Sequence, residues 1–139
     1  MITEAQAADA INYLYAAQAV QPVDGMARVW ADYINNAIPD CQPRDLLPAC
    51  REAVRTWAQD QRAWRIDTER YARAIRTVRH SRVEEATGGR PLLPDGIDDP
   101  EVELEWRRAA RAALIAGATR DQAEAAAWDQ INRRIEAAS

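Results

Sequence analysis

The first clues to this chain are its absences. Its 139 residues contain no phenylalanine and no lysine, and only one histidine, two cysteines, two methionines and five glycines. Without lysine no GxxxxGK[ST] phosphate loop can be complete, and Gly88-Gly89 and Gly96 lack the strand-to-helix setting of a nucleotide site. That argues against an ATPase of the usual P-loop type. Cys41 and Cys50 are too few for a disulfide framework, and His80 cannot complete a zinc ligand set with them. No apolar run approaches the ~20 residues of a membrane span, so no membrane association is expected. The opening MITEAQAADA has an acid and no basic segment, so no signal peptide is expected and the cytoplasm is the expected location. No internal repeat and no convincing strand is visible.

Hydrophobic residues make up 47% of the chain, much of it alanine, so five tryptophans and four tyrosines must supply bulk to any core. Every one of the 18 basic residues is arginine, as a GC-rich genome would give, and 22 acids leave a net charge of -4. That balance speaks against a general nucleic-acid binder. Charge is uneven: residues 91–139 are acidic, whereas 67–90 carry more arginines than acids.

Periodicity and punctuation predict an all-α protein. Thr3 and Gln6 form a capping-box pattern before helix one, about Glu4 to Ala19, with Ala7, Ile11, Leu14 and Tyr15 as its apolar stripe. Asp24 is the expected cap of helix two, from about Gly25 to Ala37, with Met26, Val29, Trp30, Tyr33, Ile34 and Ala37 facing the core. Pro43 suits the first turn of helix three, which is expected to reach about Gln61. Its face is Leu46, Leu47, Cys50, Ala53, Val54 and Trp57. Cys50 reads as a core thiol and Cys41 as a turn residue open to solvent. Trp64 and Ile66 are expected to plug the bundle end. Asp67 or Thr68 caps helix four, whose core face is Tyr71, Ala74, Ile75 and Val78 and which stops at Gly88-Gly89. These helices predict a compact bundle over 1–87. GGRPLLPDGIDDP then predicts a linker over 88–100. A helical hairpin over 101–139 follows. Asp98 or Asp99 caps helix five, and Val102, Trp106, Ala109, Ala110, Ala113 and Leu114 line it. Thr119 and Gln122 open helix six, lined by Ala123, Ala127, Ile131 and Ile135, with Trp128 beside them. The hairpin is expected either to pack on the bundle or to meet a partner.

No complete catalytic constellation is visible, and no metal or cofactor is expected. His80 reads as a solvated residue near the end of helix four, with no linked nucleophile. Asp95, Asp98, Asp99, Glu101, Glu103 and Glu105 lack calcium-loop spacing and read as helix capping and a solvated face. Arg70, Arg73, Arg76, Arg79 and Arg82 recur every three residues. Each step falls about 60° short of a helical circle, so the ladder drifts around its helix. Arg70, Arg73, Arg76 and Arg79 are the expected basic surface, open to weak DNA contact or to a protein. Arg51 and Arg55 of helix three would extend it. Glu101, Glu105, Trp106 and Trp128 are the expected partner surface of the hairpin, with core packing the competing role for both tryptophans.

The stretch VWADYINNAIPDCQPRDLLPACREAVRTWAQDQRAWRIDTERYARAIRTVR resembles the small all-helical phage proteins that load or inhibit the replicative DNA helicase, and related actinobacteriophage proteins. The tail PDGIDDPEVELEWRRAARAALIAGATRDQAEAAAW is similar to tails on such proteins. The resemblance covers roughly residues 5–83, with further likeness over 94–128. Trp30 takes the family's helix-two aromatic position, and Ile66 with Thr68 its connector. The resemblance implies a non-enzymatic phage replication accessory, in the host cytoplasm, that binds the host or phage helicase through its C-terminal part, here Glu101, Glu105, Trp106 and Trp128. The competing expectations are a small helical DNA-binding regulator and a phage inhibitor of another host protein.

Overall fold

The computed structural model describes residues 1–60 and 63–138. Six helices make an all-α fold: α1 Glu4–Ala16, α2 Met26–Ala37, α3 Pro43–Gln59, α4 Thr68–Thr87, α5 Pro100–Ile115 and α6 Arg120–Ala138. The first four form an N-terminal bundle and the last two a C-terminal hairpin. By contact the chain divides into two compact units, Met1–Arg79 and His80–Ser139. The division falls inside α4.

In the first unit, local chemistry sets the helix ends. Thr3 Oγ1 accepts from the Gln6 N–H at 3.1 Å while Gln6 Oε1 accepts from the Thr3 N–H at 2.9 Å, completing the expected capping box. α1 stops three residues before the expected Ala19. Gln18 turns left-handed, with φ +63°, so its N–H reaches the Tyr15 carbonyl and the Ala19 N–H reaches that of Leu14. This is a Schellman stop built on glutamine, at a cost of roughly 1–2 kcal/mol for the left-handed residue, and no glycine advertises it. α2 begins at Gly25, which adopts φ +80°, and not at an Asp24 cap. Pro43 opens α3 as expected, and Pro48 lies within it. Asp67 caps α4, its Oδ1 accepting from the Arg70 N–H at 2.8 Å.

The core of this unit gathers Leu14, Ile34, Tyr71 and Ile75, all fully buried, with Trp30 tilted against Tyr71 at a ring separation of 5.4 Å. Several expected core residues lie outside it. Tyr15, Val29, Tyr33 and Leu47 are exposed, and Trp64 stands out in solvent while its neighbour Ile66 is buried. Cys41, expected at an open turn, is wholly buried. For the four helical residues, Tyr15, Val29, Tyr33 and Leu47, the reason is alanine. Ala7, Ala10, Ala31, Ala49, Ala53, Ala72 and Ala74 are all buried, and such small contacts narrow the inward stripe of each helix. The expected end of α3 at Gln61 lies outside the described residues.

In the second unit, Trp106, Ala110, Ala127 and Ile131 form one cluster. Val83, from the last turns of α4, joins Leu114 and Ala123 in another. Leu92 and Ile97 of the Pro/Gly segment pack on this unit. Arg120 holds that segment, its guanidinium donating to the carbonyls of Arg90 at 3.0 Å and Pro91 at 2.9 Å. Asp99 caps α5, accepting from the Glu101 N–H at 2.9 Å, with Pro100 in the first turn. Gly117, at φ +99°, closes α5 in a second Schellman stop, and the Thr119–Gln122 pair opens α6 as expected. Ile135, expected to line α6 inward, is exposed near its end.

Candidate functional site

The expected partner surface of the hairpin does not assemble as one open patch. Glu101 is exposed in the first turn of α5. Glu105 is ion-paired with Arg134 and accepts from Gln130 Nε2 at 3.5 Å. Trp106 is 1% exposed and meets half-buried Trp128 edge-on at 5.9 Å. Trp106 is therefore a core residue of the hairpin, and the outward side of this group is left to Glu101 and part of Trp128.

The arginine ladder is dispersed by helix geometry. Nine residues separate Arg70 from Arg79, which puts them about 180° apart around α4. Arg70 pairs with Asp60, and Arg73 with Glu69 at 3.2 Å. Arg76 is exposed. Arg79, expected on the basic surface, is buried at 7% exposure and bonded to Asp40 Oδ2 at 2.5 Å. That hydrogen bond from Arg79 holds the Asp40 carboxyl below its ordinary range. Arg82 donates to the Ile115 carbonyl at 2.7 Å. On α3, Arg55 is engaged by Glu52 at 2.7 Å, while Arg51 is exposed. Exposed His80 faces Glu84 at 3.7 Å.

Sequence reasoning missed a groove of about 340 Å³ between α1 and α3. Asp9, Ala10 and Tyr13 line it from α1, and Pro43, Leu46 and Leu47 from α3. Ala10 and Leu46 are buried, whereas Asp9, Tyr13 and Leu47 are exposed. No local signal marked it: adjacent helical positions can share a core, as Ala49 and Cys50 do, so the pair Leu46 and Leu47 did not show that Leu47 turns outward. Cys50 lies at the base of the groove, its Sγ 3.7 Å from the Ala10 carbonyl oxygen and 3.5 Å from the Tyr71 hydroxyl. That hydroxyl donates to the Leu46 carbonyl at 2.9 Å. Burial pushes both Cys50 and Tyr71 upward, so the thiol and phenol stay protonated and the base is neutral. Such a surface can hold apolar side chains and offers no activated nucleophile there.

A second exposed feature is the connector before α4. Trp64 is 79% exposed, and the Arg65 guanidinium lies 3.8 Å from its ring centroid.

Among the described residues, no group of three or more His, Cys, Asp or Glu side chains is placed to hold a metal ion, and no helix is long and apolar enough to cross a membrane. Compared with known proteins, the chain matches no family model, no curated protein and no solved structure.

Proposed function

We propose that this protein is a non-enzymatic accessory of phage DNA replication that binds the replicative DNA helicase as loader or inhibitor. The resemblance over residues 5–83 supports the choice of partner. The α1–α3 groove carries the reading of a binding protein: its base is apolar and neutral, and its rim offers Tyr13, Leu47 and the carboxylate of Asp9. That chemistry suits an amphipathic helix of the partner, with apolar side chains entering the groove and a basic side chain facing Asp9. The test is direct titration of the full chain with purified hexameric helicase. Binding tighter than ~10 µM is expected, weakened about tenfold or more by Leu47→Glu. No binding of the unaltered chain at ~10 µM sinks the proposal. DNA unwinding by the helicase in the presence of the protein then separates loading from inhibition.

A DNA-binding role through Arg70, Arg73, Arg76 and Arg79 has less support. Three of these four are engaged by Asp60, Glu69 and Asp40, which phosphates would have to displace.

A further inference from the structure

We infer that the α1–α3 groove takes a partner helix whose apolar stripe is flanked by acids on one side and by a base on the other. The inference rests on the reading of this groove as the helicase-binding site, and it names the helix that fits there and the direction in which it lies. Every residue lining the groove belongs to α1 or α3. Exposed Tyr13 and Leu47 are its apolar rims, with buried Ala10 and Leu46 on their inner sides. On α3, Arg44 and Arg51 stand about 60° and 40° beyond Leu47, on its side away from Leu46. On α1, Asp9 stands about 40° beyond Tyr13, on its side away from Ala10. These three charged side chains are exposed, and none has an ion pair or hydrogen bond among the described residues.

The other charges on these helices are paired, buried or turned away. Glu4 lies about 140° around α1 from Asp9. Asp45 is buried and accepts from the Gln42 N–H at 3.0 Å. Glu52 and Arg55 hold each other at 2.7 Å. Arg70 and Arg73 of α4 are paired with Asp60 and Glu69, and they meet α3 beside Glu52 and Thr56, about 140° and 180° around it from Leu47. One rim is therefore left with two unpaired positive charges and the other with one unpaired negative charge. Arg44 and Arg51 are seven residues apart, which puts them nearly in line and about 10 Å apart along α3. Matching carboxylates on an occupant helix also fall seven residues apart. The Cys50 Sγ lies 3.7 Å from the Ala10 carbonyl oxygen, so Asp9 and Arg51, each next in sequence to one of that pair, stand at about the same level on opposite rims. A base on the occupant's other flank meets Asp9 there. Turned end for end, the same helix would set its base against Arg51 and its acids against Asp9, so the rims admit one direction. Tyr13, Leu46 and Leu47 between the rims call for apolar side chains, which a phosphate backbone does not supply.

The experiment titrates full-length wild type, the double variant Arg44→Glu with Arg51→Glu, Asp9→Arg and Leu47→Glu against purified hexameric helicase, with circular dichroism and thermal melting of each. The double variant is expected to weaken binding about tenfold or more, and Asp9→Arg about threefold or more. Their melting should match wild type, since all three side chains are exposed. If the double variant melts early, Arg44→Gln with Arg51→Gln decides. Binding of the arginine variant within about twofold of wild type, with Leu47→Glu still impaired, overturns the polarised occupant and leaves the groove reading standing. Tighter binding of Asp9→Arg also overturns it, because the occupant would then be acidic on both flanks. Failure of wild type to bind overturns both readings. Salt-sensitive binding of a short oligo-dT, lost in the arginine variant, overturns the assignment to a protein helix.

Discussion

Replacing Trp106 separates a packing role from a binding role. Its side chain is 1% exposed, against Trp128, Ala110, Ala127 and Ile131. A buried tryptophan removes roughly 150–250 Å² from water, about 4–6 kcal/mol at 25 cal/mol per Å². Trp-to-Ala changes in cores cost about 3–5 kcal/mol. A unit of about 60 residues has roughly 3–9 kcal/mol of stability in total. Trp106→Ala should therefore unfold most of the second unit or leave it marginal. Trp106→Phe should cost far less, about 1 kcal/mol, because no described protein acceptor reaches the buried Nε1 and its loss offsets part of the cavity. Urea titration followed by circular dichroism measures both changes. Limited proteolysis should show the second unit of the Ala variant degraded while the Met1–Arg79 region resists. A cost below about 1 kcal/mol for Trp106→Ala would refute the packing argument and return Trp106 to the surface as a partner anchor.

Four further outcomes are expected. The Asp40 carboxyl is held low by Arg79, so its stabilisation is present above the ordinary carboxylate value of 3.8 and is lost as pH falls through the depressed folded value. Asp40→Asn should accordingly flatten the acid limb of a stability–pH curve, and an unchanged limb would contradict the pairing. Arg120→Ala removes the clamp on the Arg90 and Pro91 carbonyls; a loss of about 1–2 kcal/mol and faster amide hydrogen exchange at Leu92 and Leu93 are expected. Burial pushes the Cys41 thiol up to about 11, so iodoacetamide should label it at neutral pH only after unfolding, as read by mass spectrometry. Gln18→Gly relieves the left-handed residue at the end of α1 and should stabilise the first unit by about 1 kcal/mol in thermal melts.

Helix positions were legible because their signals are local. Thr3 with Gln6, Pro43, Asp67, Asp99 and Thr119 with Gln122 each act within one turn of themselves, and each marks the helix start it should. The end of α1 was not legible, because glutamine seldom takes a left-handed conformation and Gln18 does so only where the Leu14 and Tyr15 carbonyls need donors. Core membership failed where it depends on what a neighbouring helix presents. Tyr15 and Val29 lie within a residue of the true stripe, and buried alanines decide which side of them turns inward. The groove was invisible for the same reason, since it exists only between α1 and α3. The arginine ladder was read correctly as drifting, yet its partners Asp60 and Asp40 lie ten and 39 residues away, beyond any spacing rule.

Because α4 supplies Val83 to the second unit, the conspicuous glycine pair is a poor place to cut this gene. A fragment ending there keeps an apolar turn with nothing to cover it, and the complementary fragment begins with Leu114 and Ala123 uncovered. Deletion mapping across Gly88 would thus report aggregation or misfolding where it was meant to report loss of a contact. Point substitutions on an intact chain are the sounder genetics, and two halves that each carry a copy of α4 are the sounder fragments.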